Sequence, residues 1–172
     1  MGVLYDYFAA ATDEQAAAAI DLPAGPAVPT AQSEPQRRGL LRRRGAEATS
    51  APPPYDVVPG KGIDPVVQMG TLEELLTGRA YDDVQSDERS GKDLAVRDGG
   101  ERIVLTVTDS LRDALADATD EQLAAVADPW AETEEFWGAA TGDQLLPFLR
   151  EVAALASRAR GQQRHLYCWV CV

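Results

Sequence analysis

Leu166-Tyr167-Cys168-Trp169-Val170-Cys171-Val172 is the stretch on which the fold turns. It carries no charge, no glycine and no proline, and it is rich in aromatic and β-branched residues. A strand wet on one face alternates apolar with polar residues, and this one is apolar at both parities. It therefore predicts a central strand buried on both faces, with other structure packed above and below it. Working outward, the spacing predicts a long helix over 143–160, whose inward stripe is Leu145, Phe148, Leu149, Val152, Leu155 and Ala156. Arg158 and Arg160 fall in its last turn, where positive charge complements the helix dipole.

Residues 2–9, Gly-Val-Leu-Tyr-Asp-Tyr-Phe-Ala, read as a second strand, interrupted by Asp6. Thr12-Asp13-Glu14-Gln15 is a capping box that opens a short alanine-rich helix ending before Pro23. Asp64-Pro65 pairs an N-cap acid with a proline at the first helical position. Val66, Met69, Leu72, Leu75 and Leu76 follow at helical spacing, and Gly78 suits the helix end. Residues 79–92 read as a polar loop. A hairpin is expected between 93–97 and 102–107 across Asp98-Gly99-Gly100, with the second strand central in the sheet. Thr108 or Asp109 caps a helix with Leu111, Ala114, Leu115 and Ala118 inward. Thr119-Asp120-Glu121-Gln122 is a second capping box, opening a helix that buries Leu123 and Val126. The expected fold class is α+β: one domain spanning 1–172, a small mixed sheet with about five helices packed against it, and an insertion.

That insertion, 23–60, differs in kind. It holds eight of the eleven prolines and the basic cluster Arg37, Arg38, Arg42, Arg43 and Arg44. Prolines remove backbone donors and little apolar surface is available to bury, so a disordered or loosely packed segment is expected. Its five arginines against Glu34, Glu47 and Asp56 leave a local charge of about +2, so the remainder carries about −14 of the chain's −12.

Such acidity repels phosphate backbones and anionic lipid, which disfavours nucleic acid and membrane as partners of the folded part and favours a basic protein. The start lacks the basic region of a secretory signal, and Asp at position 6 breaks the myristoylation pattern. No apolar run approaches the ~20 residues of a membrane span. A soluble cytoplasmic protein is expected, and the fourteen arginines against two lysines suggest a high-GC bacterial genome.

Taken in order, an aromatic strand after Met-Gly, a helix ending Leu75-Leu76-Thr77-Gly78, a strand leading to two short helices, and a long helix before a last strand bearing Trp169 make a pattern. It resembles the YfbM-like family of bacterial proteins over residues 1–22 and 61–172. The resemblance implies an α+β fold. It implies no reaction, ligand or catalytic residue.

Motifs for chemistry are sparse. Cys168-Trp-Val-Cys171 is C-x-x-C, but in a strand its two thiols point to opposite faces about 10 Å apart at ~3.3 Å per residue. A disulfide needs less than about 7 Å between Cα atoms. Structural cysteines are expected, with no metal site and no cofactor. His165 is the single histidine, expected at a surface or edge. Glu73 and Glu74 fit an exposed helix face. Gly60-Lys61-Gly62 fits a plain turn.

Two clusters stand out as candidate binding residues. Asp6 and Tyr7 lie in a sheet strand, where a charge is costly unless an arginine pairs with it or a pocket uses it. Trp130, Glu134, Glu135 and Trp137 join aromatic rings, the residue type enriched at binding hot spots, with acids that select a basic partner. The leading expectation is a protein-binding module, for instance a neutraliser of a basic toxin. Open alternatives are a small-molecule-binding or hydrolytic enzyme using carboxylates near Asp6, and nucleic-acid contact through the Arg-rich insertion.

Overall fold

A computed structural model describes residues 2–22, 25–27 and 55–172 of the chain. Strand β1 (Leu4–Ala10) leads into helix α1 (Asp13–Ala17) and a 3-10 turn over Ala18–Asp21. Thr12 Oγ1 accepts from the Gln15 N–H at 3.2 Å, and Gln15 Oε1 accepts from the Ala11 N–H at 2.9 Å, so the first box closes one residue upstream of its expected position. Strand β2 (Asp56–Pro59), helix α2 (Val67–Thr77) and helix α3 (Tyr81–Gln85) follow. The hairpin is β3 (Asp93–Arg97) and β4 (Arg102–Thr106), and then come α4 (Asp109–Asp117), α5 (Asp120–Ala131), α6 (Gly142–Gly161) and β5 (His165–Cys171). The fold is a single-domain α+β arrangement.

The sheet order is β2-β1-β5-β4-β3, which puts β5 at the centre as its composition requires. β5 pairs β1 on one edge (Asp6 opposite Trp169, Tyr7 opposite Cys168) and β4 on the other (Val104 opposite Trp169, Leu105 opposite Cys168). All four pairings are antiparallel, where a mixed sheet was expected. The apolar run reports burial on two faces, and a covered antiparallel strand satisfies that as well as a parallel one does.

One face of the sheet, with Tyr7, Ala9, Val58, Leu166, Cys168 and Val170, packs against the apolar stripes of α2, α4, α5 and α6. Every inward position expected of the long helix α6 is buried there. The other face, with Phe8, Val104, Tyr167 and Trp169, is closed by α1 and the 3-10 turn through Ala16, Ala19 and Ile20. Asp6 does not interrupt β1; it sits in register within it.

Four further expectations change. Part of the 23–60 insertion is ordered: 25–27 is placed and β2 forms the sheet edge, where Pro59 is tolerated because an edge strand need not donate on its outer side. Arg158 forks onto Asp56 at 2.6 and 3.0 Å and ties β2 to α6, and the Tyr55 hydroxyl donates to Gln15 O at 2.7 Å. The arginine cluster 37–44 lies outside the described residues. The expected loop 79–92 contains α3, the element that raises about five helices to six among the described residues; it packs by laying Tyr81 against Gly70, where a Cβ would come within 2.9 Å of the ring. Leu75 faces outward, 41% exposed, whereas Met69 and Leu72 are buried as expected.

The fourth change is Glu73, which is 1% exposed instead of lying on a wet helix face. Its Oε1 takes Arg79 Nη1 at 2.8 Å, and its Oε2 accepts the hydroxyl hydrogen of Thr108. Thr108 Oγ1 in turn caps α4 by accepting the Leu111 N–H at 3.1 Å. One buried carboxylate thus fastens the C-terminal end of α2 to the N-terminus of α4. Removing one partner of a buried ion pair strands the other charge out of water, at a cost of about 3–5 kcal/mol. Arg79→Met should therefore destabilise the fold by ~3 kcal/mol, the low end because Arg79 keeps 34% of its side chain in solvent. The urea midpoint should fall with an unchanged m-value; a shift below ~1 kcal/mol would refute this role for the pair.

Candidate functional site

A groove lies between the turn that follows β2 and the segment joining α5 to α6. The first wall is set by β1. The Gly60 N–H donates to Tyr5 O at 2.6 Å and the Tyr7 hydroxyl donates to Ile63 O at 2.7 Å. Gly60 is required there, since a Cβ would meet the Tyr7 ring at 2.7 Å. Asp64 Oδ1 then accepts the N–H groups of Val66 and Val67, both at 2.8 Å, in the turn that leads into α2, whose N-cap is Val66, two residues later than the Asp-Pro sequence predicts.

The second wall hangs from Trp130. This ring is fully buried, its Nε1–H donates to Gln68 O at 2.8 Å, and Phe136 meets it edge-on at 5.1 Å between centroids. Thr133 Oγ1–H closes the end of α5 on Trp130 O at 2.8 Å. With Phe136 pinned inward, the next residue must turn away. Trp137 does so in the left-handed region, φ +53°, and leaves its indole 93% exposed. Such a backbone is uncommon outside glycine and an exposed indole is costly in water, so the pair points to use at a surface.

The groove encloses about 850 Å³, with Asp64, Val67, Glu132, Glu134, Glu135 and Trp137 among its lining residues. Four of these six are acids, and among the described residues its lining contains neither lysine nor arginine. The negative field reaches neighbouring phenols. Burial raises the Tyr81 hydroxyl above its ordinary value, and Glu135, Asp64 and Glu74 raise it further. Burial, then Asp64, does the same to Tyr5, whose hydroxyl lies 3.5 Å from Asp64 Oδ2. No set of three or more His, Cys, Asp or Glu among the described residues is arranged to hold a metal ion.

The structure brings together Glu134, Glu135 and Trp137 of the sequence-derived residues and separates the rest. Trp130 is core, and acts by positioning the wall. Asp64, Glu132 and Val67 complete the lining. Asp64 was read only as a cap, since its approach to 134–137 depends on a contact between distant segments. Asp6 and Tyr7 are neighbours in β1 and point to opposite faces. Tyr7 is fully buried beneath the helices, so it lines no pocket with Asp6. Asp6 is half-buried beside the Trp169 ring and Gly25, where a Cβ on Gly25 would stand 3.1 Å from both. No arginine or lysine among the described residues pairs with it.

The cysteines are free and fall on opposite faces: Cys168 is buried under the helices and Cys171 is half-buried on the other side. Burial pushes the Cys168 thiol well up, which keeps it protonated and unreactive. Of the two positions expected for it, surface or edge, His165 takes the first, with 34% of its side chain exposed. It begins the central strand, half-buried, with Nδ1 2.6 Å from Asp109 Oδ1, and Asp109 is also held by Arg112 at 3.0 Å.

The chain matches no family model, no curated protein and no solved structure. Among the described residues, no helix is long and apolar enough to cross a membrane.

Burial raises the Asp6 carboxyl above its ordinary value of 3.8. A carboxyl that holds its proton more tightly when folded favours the fold in acid, and this advantage is lost as pH rises through the folded-state value. Asp6→Asn should accordingly raise Tm at neutral pH, and the difference should disappear as pH falls below about 4. A thermal-melt series against pH reads this directly, and an equal gain at every pH would contradict it.

Proposed function

We propose that the protein is a binding module for a basic protein segment, with the groove at Trp137 as its recognition surface. The observation that carries the reading is the exposed indole, held outward by the buried Trp130–Phe136 pair at the rim of an acidic groove. A lysine or arginine has the complementary shape and charge. Its aliphatic stem packs on Val67 and the face of Trp137, and its head reaches Glu132, Glu134 and Glu135. Exposed carboxylates add long-range attraction, which speeds encounter with positive partners and fades with salt. A neutraliser of a basic toxin or enzyme is one protein that would work this way.

Membership of the YfbM-like family is part of the proposal, resting on element order and the short sequence words; it implies no reaction. A carboxylate enzyme centred on Asp6 gains no support from the geometry, because Tyr7 faces the core.

Trp130 and Trp169 are buried, so solvent-sensitive indole emission reports on Trp137. Titration with an oligo-arginine peptide should shift that emission, and an oligo-glutamate peptide should leave it unchanged. Trp137→Ala should weaken oligo-arginine binding, measured by calorimetry, about tenfold, equivalent to ~1.4 kcal/mol. The variant keeps the net charge, and its melting temperature should stay within a degree or so because the side chain touches little. Equal affinity of variant and parent would overturn the reading.

A further inference from the structure

The acidic groove is continuous with a second cavity of about 330 Å³, and Gly62, Gln68 and Glu135 line both. The two differ in polarity. Six of the eleven residues around the second cavity are apolar side chains: Ile63, Phe136, Ala139, Ala140, Leu145 and Phe148. Its two charged residues, Lys61 and Glu135, are of opposite sign, so among the described residues its lining carries no net charge, whereas the groove carries four carboxylates and no cation. Ile63, Phe136, Leu145 and Phe148 are members of the main core, so this is a place where the core opens to solvent. Gln68, at the junction, has its amide engaged by backbone: Oε1 accepts the Asp64 N–H at 2.7 Å and Nε2 donates to Glu135 O at 3.4 Å. The wall passes from one compartment to the other between consecutive residues, since Phe136 lines the cavity and Trp137 lines the groove.

We propose that this cavity takes an apolar side chain of the bound segment, so that the site recognises a basic residue with a leucine- or phenylalanine-like residue close to it in sequence. The inference rests on the reading of the groove as a site for a basic segment. A polar or charged occupant would give up water against Ile63, Phe136, Leu145 and Phe148 without gaining a partner there. An apolar occupant removes both its own surface and that of the wall from water, which is favourable in proportion to the area covered. The two compartments then divide the work of recognition. Carboxylates around the groove attract and orient the segment, and the side chain in the apolar cavity anchors it and slows its release. A uniformly basic segment fills the groove alone and leaves the cavity wet. Because the compartments share three lining residues and adjoin at Phe136 and Trp137, the two side chains lie near each other in the partner. An extended segment rises about 3.3 Å per residue, which puts them about one to three positions apart.

The test uses the full chain and acetylated, amidated peptides that carry one arginine and one leucine in a glycine background. The two are separated by zero, one or two glycines, in both orders, and each peptide has a counterpart with alanine in place of leucine. Affinities are read by calorimetry at low salt. The best leucine peptide should bind about tenfold tighter than its alanine counterpart. Ala139→Leu and Ala140→Leu add bulk to walls that belong to the cavity and not to the groove. At least one of them should cancel the leucine gain while leaving the affinity of the alanine peptide unchanged, with a melting temperature that matches the parent. Equal affinity of leucine and alanine peptides at every spacing and order overturns this inference and leaves the basic-segment reading standing, provided Trp137→Ala still weakens both. A leucine gain that survives in both variants places the leucine elsewhere and overturns the inference as well. If glutamine in place of the arginine leaves affinity unchanged, or if no arginine peptide binds, the underlying reading is refuted together with this one.

Discussion

Strand β5 is hydrogen-bonded along both edges, to β1 and to β4, and covered on both faces. Everything else in the fold is arranged around satisfying it. A strand with no polar side can be placed only where two layers exclude water, so the helices α2, α4, α5 and α6 must lie on one side and α1 with its 3-10 turn on the other. The partners of β5 come from early and middle parts of the chain, so closing the sheet joins segments more than 150 residues apart, as in the pairing of Ala10 with His165. Loop-closure entropy opposes such pairing, and the apolar surface of Leu166, Tyr167, Cys168 and Trp169 is what offsets it.

The same strand system places the candidate site. β1 fixes the turn at Gly60 and Ile63 through Tyr5 and Tyr7, and that turn is one wall of the groove. The buried Trp130 fixes the other wall and forces Trp137 outward. Two aromatic residues that look alike in sequence therefore have opposite duties, one hidden to hold a wall and the other displayed upon it. The acids divide in the same manner. Glu73 is consumed internally by Arg79 and Thr108, whereas Glu132, Glu134 and Glu135 are left facing the groove.

Charge partition gives this arrangement its chemical character. Many of the acids outside the groove are matched by arginines, as at Asp56 with Arg158, Asp120 with Arg150 and Asp117 with Arg160. Among the described residues the groove lining has no such arginine, so those residues leave its negative potential available to a partner.

Much of the fold was legible in the residues because the relevant signals are local. The apolar run of β5, the inward stripe of α6, the Thr119 capping box and the Gly99-Gly100 hairpin each state a conformation through neighbours within a few positions. The two-sided burial of β5 also fixed its central place. Strand direction was not legible, because burial on two faces is common to parallel strands and covered antiparallel ones. Nor was α3, whose five residues are held chiefly by Tyr81 against Gly70, nor β2, whose order comes from pairing with β1 and from Arg158. The site was half legible: the acidic aromatic segment around Trp137 was visible as a cluster, but Trp130 and Trp137 could not be told apart, and Asp64 gave no sign of joining them. Local propensity determines which elements form; only long-range packing decides which of two similar rings faces water, which carboxylate is buried, and which distant side chains share one groove.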